Sequence, residues 1–161
     1  RMGELTALTP NDIDFGNNSI TINKSYRKID GKDVITKPKT LKSTRTILLP
    51  DFVMSEIKQF MDSSYDLKKS DRVFTITKNP LRNAMDKAIA ISGVKRIRIH
   101  DLRHSHASLL IELGASPLLI AERLGHKNVK TTLNTYSHLY PNKQAQIIAM
   151  IKQNSIKQVS A

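Results

Sequence analysis

The chain has 161 residues and carries 26 lysines and arginines against 14 acidic residues, a net charge of +12 that points to a polyanionic partner. It has no cysteine, which excludes disulfides, thiolate metal sites and cysteine nucleophiles. Its longest apolar run, Ile147 to Ile151, is far short of the roughly 20 residues of a membrane span; with an opening segment that lacks the parts of a signal peptide, this leads us to expect a soluble, cytoplasmic protein of one domain.

In chain order, Met2 to Leu8 reads as the tail of a helix. Ile20-Thr-Ile22 and Val34-Ile35-Thr36 read as strands between the turn clusters Asp14 to Asn18 and Asp30 to Asp33, and Arg45 to Leu49 as a third strand ended by Pro50. A small antiparallel sheet follows from these. Beyond Pro50 the period becomes helical. Phe52, Val53, Ile57, Phe60 and Met61 share a face behind an Asp51 cap, and Asn79-Pro80 opens a helix through Ser92 that Gly93 closes. Leu102, Ala107, Leu110 and Ile111 mark a helix over about 99–113, stopped by Gly114. Ser116-Pro117 caps a short helix to Leu124-Gly125, Asn128 or Lys130 starts another that runs to about Leu139, and Asn142 caps a last one through Ile151. The predicted fold class is α+β, mainly α, with a small three-stranded antiparallel sheet near the N-terminus.

The densest polar stretch is Ile99-His-Asp-Leu-Arg-His-Ser-His106. His100 and Arg103 stand three apart on one helical face and can reach one oxyanion together, the arginine as a fork of permanent donors and the histidine as donor or proton carrier; they can equally be two exposed polar residues of a basic helix. His100 and His104, four apart, have the spacing of two metal ligands, but the glutamate expected between such ligands is replaced by Asp101 and Leu102. Gly125 ends a helix and frees His126 to turn inward, the alternative being a surface histidine at a helix terminus. Tyr136 lies ten residues beyond His126 and reads by itself as a half-buried packing residue. Lys39 lies in Lys37-Pro-Lys-Thr-Leu-Lys-Ser-Thr-Arg45 between two predicted strands, a basic hairpin suited to phosphate contacts or simply a solvated charge run. Arg1 and Glu4 stand three apart as a simple ion pair.

Taken in order, these pieces resemble the tyrosine recombinase, or phage integrase, family. The matching residues are Arg1-Met-Gly-Glu-Leu5 for the first arginine motif, Lys39 in its Lys-Thr-x-x-Ser-x-Arg stretch, His100-Asp-Leu-Arg103 for the His-x-x-Arg box, Leu124-Gly-His126 for the second histidine motif, and Tyr136 for the nucleophile. The match covers Arg1 to about Tyr140 and is similar to the family's catalytic domain. It implies a single catalytic domain over 1–161, cut at its N-terminus, without the family's core-binding domain and with a tail over 152–161 that is flexible or docks on a partner.

The resemblance implies metal-independent cleavage and rejoining of duplex DNA, with no cofactor, for integration or excision of a prophage or mobile element. Tyr136 would attack the scissile phosphate to give a 3′-phosphotyrosyl link. Arg1 and Arg103 would hold the non-bridging oxygens, and Lys39 would protonate the 5′ oxygen. His100 would serve as general base or phosphate ligand and His126 as a donor to phosphate, while Glu4 and Asp101 would orient the arginines and histidines. Lys37, Lys42, Arg45 and His104 are the expected DNA contacts. The apolar stripe of the helix Lys143 to Ile151 would either dock on a neighbouring subunit or pack on its own core; the family's docking implies a homo-oligomer, a tetramer on the DNA site. The rival readings are a helix-turn-helix module around Gly114 to Gly125, a metal-dependent nuclease built on the histidines, and a type IB topoisomerase of shared chemistry.

Overall fold

A computed structural model describes residues 1–37 and 44–140 together with Ile148 and Ile151. The chain begins with a short helix α1 (Met2–Leu5) and a 3₁₀ turn (Pro10–Asp12), followed by five short strands: β1 (Ile13–Asp14), β2 (Ser19–Ile22), β3 (Ser25–Ile29), β4 (Lys32–Thr36) and β5 (Arg45–Leu48). Five helices complete it: α2 (Asp51–Asp62), α3 (Lys78–Ser92), α4 (Asp101–Glu112), α5 (Pro117–Leu124) and α6 (Val129–Tyr136), the last running into a 3₁₀ turn at Ser137–Leu139. The class is the expected α+β, mainly helical. Among the described residues no helix is long and apolar enough to cross a membrane.

The strands form two antiparallel sheets instead of one. The first has the order β1-β2-β5, with Ile20 opposite Ile13 on one side and Ile47 on the other. The second is a β3-β4 hairpin, turned at Asp30 and Gly31, both at positive φ (47° and 77°) as a two-residue hairpin turn requires. Asn23 and Lys24 separate β2 from β3 because both are drawn to the buried Asp12: Asn23 donates to Asp12 Oδ1 at 3.1 Å, and Lys24 forms an ion pair with Asp12. The expected strand at Val34 to Thr36 therefore belongs to the hairpin.

Two apolar clusters organise the molecule. Leu8, Ile13, Ile20, Met54 and Val73 form the first, between the three-stranded sheet and α2. Here Met54 is the buried residue of α2 and Phe52 is 71% exposed, so the face anticipated from Phe52 is rotated: Met54, Ile57 and Met61, at i, i+3 and i+7, point inward. Pro50 occupies the N-cap position and Asp51 the first turn. Similarly α3 starts at Lys78 after Thr77, one residue before Asn79-Pro80, and none of its residues is buried.

Ala107, Ile111, Ile120, Leu124 and Tyr136 form the second cluster, from α4, α5 and α6. The expected punctuation holds here. Ser116 accepts from the Leu119 N–H and Asn128 from the Lys130 N–H, and Gly93, Gly114 and Gly125 adopt positive φ just beyond helix ends. Of the expected helix over 143–151, only Ile148 and Ile151 lie inside the described residues; both are helical and exposed. The expected tail over 152–161 lies outside them.

Candidate active site

The C-terminal end of α5 is the meeting point. Gly125, in the left-handed conformation (φ 65°), turns the chain out of α5, which leaves the carbonyls of Leu124 and Gly125 without helical partners. Arg1 Nη2 donates to Gly125 O at 3.0 Å, and Arg103 Nη2 donates to Leu124 O. The first residue of the chain and the third of α4 thus bring their guanidiniums to consecutive carbonyls. Burial first, and then the like charge of Arg1, lower the pKa of Arg103, with Glu4 acting in the opposite sense. Two like charges held this close form a ready anion site.

Glu4 is the counter-charge. Its Oε1 accepts from Arg1 Nη1 at 2.6 Å and its Oε2 from Arg45 Nη2 at 2.7 Å. Burial alone would raise the Glu4 carboxyl, but the hydrogen bonds from Arg45 and then Arg1 outweigh it and hold it below the ordinary range. The expected Arg1–Glu4 ion pair is thus present, and Glu4 shares it with Arg45. Arg45 is a correction: expected on DNA, its side chain is 7% exposed and is spent inside the molecule, on Glu4 and through Nε on Arg123 O at 2.9 Å. Arg123 in turn donates to Leu48 O and His106 Nε2, each at 3.0 Å.

His126 turns inward past Gly125 as expected, and its Nδ1 lies 2.8 Å from Thr132 Oγ1. Burial, followed by Arg103, Arg1 and Arg45, lowers its pKa, favouring a neutral ring. Tyr136 ends α6, 4% exposed. Burial raises the pKa of its hydroxyl, and the charge of Arg103 pulls it back.

The partner of that phenol is a second correction. His104, expected on DNA, has its Nδ1 2.7 Å from Tyr136 Oη, and the rings lie 5.8 Å apart. His100 is exposed at the N-cap position of α4 and meets the edge of His104 at 5.5 Å between centroids. Asp101, expected to orient the arginines and histidines, has Arg98 as its hydrogen-bond partner among the described residues: it accepts from the Arg98 side chain and backbone N–H, which hold its carboxyl down at about 2. Among the described residues no three His, Asp or Glu side chains gather in a way that could hold a metal ion.

Lys37 is exposed just past the end of β4. Lys39 and Lys42 lie outside the described residues, between β4 and β5. Sequence reasoning gave Arg123 no site role, weighed His106 only as a further candidate metal ligand, and read Thr132 only as packing before Tyr136. Thr132 stands four residues before Tyr136 on one face of α6, a spacing that was readable; the other two are recognisable only once β5 and α5 are seen together.

A cleft of about 1320 Å³ borders this region, lined by Arg1, Glu4, His100 and Arg103 and by apolar residues including Ile47 and Met85. Its lining takes in the residues of both guanidiniums but not His126 or Tyr136.

The phage integrase family model matches residues 1–143. The ICEBs1 integrase of Bacillus subtilis (strain 168) is 35% identical over 91% of this chain and 44% of its own length, and the integrase of Staphylococcus phage L54a is 31% identical over 86% and 44%. The chain thus spans less than half of these curated relatives. Among solved structures, the Tn1549 transposon integrase in complex with circular intermediate DNA superposes with a TM-score of 0.77 at 20% identity, covering 95% of this chain and 55% of that one. The XerH site-specific recombinase bound to its difH substrate gives 0.65 at 25% identity, covering 92% and 42%.

Proposed function

This chain belongs to the phage integrase family, and from that premise we propose that it is the catalytic domain of a site-specific DNA recombinase that cuts and rejoins strands through a 3′-phosphotyrosyl intermediate. The observation that carries the reading is the convergence of Arg1 and Arg103 on the consecutive carbonyls of Gly125 and Leu124, next in the chain to His126, with the charge of Arg103 reaching the Tyr136 phenol. Two fixed guanidiniums supply donors for the non-bridging oxygens of a phosphodiester, where charge builds in a phosphorane-like transition state. The carbonyls at the end of α5 hold both and Glu4 also holds Arg1, so little reorganisation accompanies the reaction.

In the reaction Tyr136 Oη forms a bond to phosphorus and the bond from phosphorus to the 5′ oxygen breaks. Lys39, in the segment joining β4 to β5, gives the leaving oxygen its proton. His126, kept neutral by its surroundings and oriented by Thr132, donates through Nε2 to a non-bridging oxygen, and exposed His100 donates to the same phosphate. The phosphotyrosyl bond keeps the phosphodiester energy, so a second 5′ hydroxyl reverses the attack without ATP. Lys37 and Lys42 contact the DNA backbone. The partner is a duplex recombination site at the ends of a prophage or mobile element, met by several copies of the protein, as a tetramer docked through the helix over 143–151, in the cytoplasm.

The test is to trap the full-length protein on a nicked suicide substrate that carries the ends of its own element, with a chelator present. We expect an adduct that survives denaturation, with the DNA on Tyr136 by mass spectrometry. Cleavage without an adduct, or its loss on chelation, overturns the reading.

A further inference from the structure

Proton removal from the nucleophile is the step for which the residues above leave two candidates, and the geometry separates them. We infer that His104, rather than His100, is the catalytic base that takes the Tyr136 proton, an inference that rests on the assignment of Tyr136 as nucleophile. His104 Nδ1 lies 2.7 Å from Tyr136 Oη, within reach for direct transfer. Among the described residues, the ring contact of His100 is with the edge of the His104 ring, at 5.5 Å between centroids.

The surroundings support a transfer along this contact. Tyr136 is 4% exposed, so water does not readily replace the histidine as acceptor. Both residues sit on helices that share one apolar cluster, with Ala107 of α4 and Leu124 of α5 packed against the Tyr136 ring's own group, which fixes the distance between them. The packing of His100 edge-on, at 84° between ring planes, restricts the His104 ring further. Arg103, next to His104 in sequence, acts on the Tyr136 phenol in the direction of ionisation.

The step balances with His104 in its Nε2–H tautomer. As the bond from Oη to phosphorus forms, the phenolic proton passes to Nδ1, giving an imidazolium. As the bond to the 5′ oxygen breaks, that oxygen takes a proton from Lys39. The two transfers leave the proton count of the site unchanged, and religation runs both in reverse. A positive charge appears on His104 while negative charge builds on the phosphorane, so the two offset each other inside the site.

The experiment uses the full-length protein and single-turnover cleavage of a suicide substrate. His104→Gln, which keeps a hydrogen-bonding group but takes no proton, should cut about a hundredfold or more slowly with DNA affinity within about threefold. Replacing the 5′ leaving oxygen by sulfur, which relieves a missing acid, should leave this defect in place. In His104→Ala, added imidazole should restore part of the rate, an effect that a purely structural role does not produce. A His104→Gln protein that cuts at or above the wild-type rate overturns the inference, as does rescue by the sulfur substrate or a His104→Ala rate that imidazole does not move. If Tyr136→Phe still forms the adduct, the nucleophile assignment itself has failed; if it does not and His104→Gln is fully active, the base assignment alone has.

Discussion

Glu4 and Arg45 meet at 2.7 Å with their side chains 12% and 7% exposed, and this buried pair positions the site. The same carboxylate holds Arg1 at 2.6 Å, and Arg45 is tied by its Nε to the last turn of α5. Arg1 therefore reaches the carbonyl of Gly125 from a carboxylate anchored to both β5 and α5. In a buried pair, loss of one member leaves the other charge desolvated, and that asymmetry sets the expected effects.

Glu4→Gln should destabilise the protein by about 3 kcal/mol at neutral pH, because Arg45 then keeps its burial without its counter-charge. Since the folded-state pKa of Glu4 is depressed, its contribution is fully present above the ordinary glutamate value of about 4.3 and is lost as pH falls through the lower folded value. Urea unfolding at pH 7 and at several points below pH 5 should show the gap between wild type and variant narrowing towards acid. A gap that stays constant would mean that the pair is not what the substitution removes.

Gly125 is the second point where geometry decides. A Cβ there would lie 2.5 Å from Arg45 Nη1 and 2.8 Å from its Cζ, on a residue at φ +65°. The guanidinium has little room to retreat, since its Nε is committed to Arg123 O and its Nη2 to Glu4. Gly125→Ala should therefore cost about 1–2 kcal/mol from backbone conformation alone, and should lower the cleavage rate more than DNA affinity by displacing the carbonyl that Arg1 holds. Thermal unfolding together with single-turnover cleavage checks both halves; a stable variant with wild-type cleavage would show that the contact is slack.

What could be read from the sequence was local. Ser116, Asn128, Gly93, Gly114 and Gly125 each act on their own helix end, so both ends of α5, the start of α6 and the inward turn of His126 followed from spacing, whereas the helix expected to reach Leu139 stops at Tyr136 and continues as a 3₁₀ turn. Arg45 and His104 did not, because their partners are distant in the chain. Arg45 belongs to a basic run and reads as a DNA contact until Glu4 is found beside it. His104 pairs by spacing with His100, and only the approach of α6 to α4 reveals Tyr136. Phe52 misled for a different reason: Met54, less conspicuous in the apolar pattern, fits between the sheet and α2, which rotates the helix and leaves the phenylalanine in solvent.

Lys39 is testable through its leaving group. It stands in the basic segment between β4 and β5, and the role given to it is protonation of the 5′ oxygen. Lys39→Ala should slow cleavage of an ordinary substrate by about a hundredfold or more yet have little effect on a substrate with sulfur at that position, because a thiolate leaves without a proton. Equal losses on the two substrates would limit Lys39 to phosphate binding.

The choice of nucleophile lies between Tyr136 and Tyr140, and the two phenols have opposite surroundings. The Tyr136 hydroxyl is bonded to His104 and feels the charge of Arg103. That of Tyr140, beyond the 3₁₀ turn, is buried with no hydrogen-bond partner among the described residues. Tyr136→Phe should abolish the covalent adduct in the full-length protein while DNA affinity stays within a few fold, since every phosphate-binding cation remains. Tyr140→Phe should keep the adduct, and should leave stability unchanged or slightly raised, because a buried hydroxyl without a partner costs about 1–3 kcal/mol of desolvation that its removal relieves. Adduct formation by the two variants, read on a denaturing gel beside their thermal melts, tests both claims at once. An adduct in Tyr136→Phe, or its loss in a well-folded Tyr140→Phe, would move the nucleophile to the far side of the 3₁₀ turn, away from Arg103 and His104.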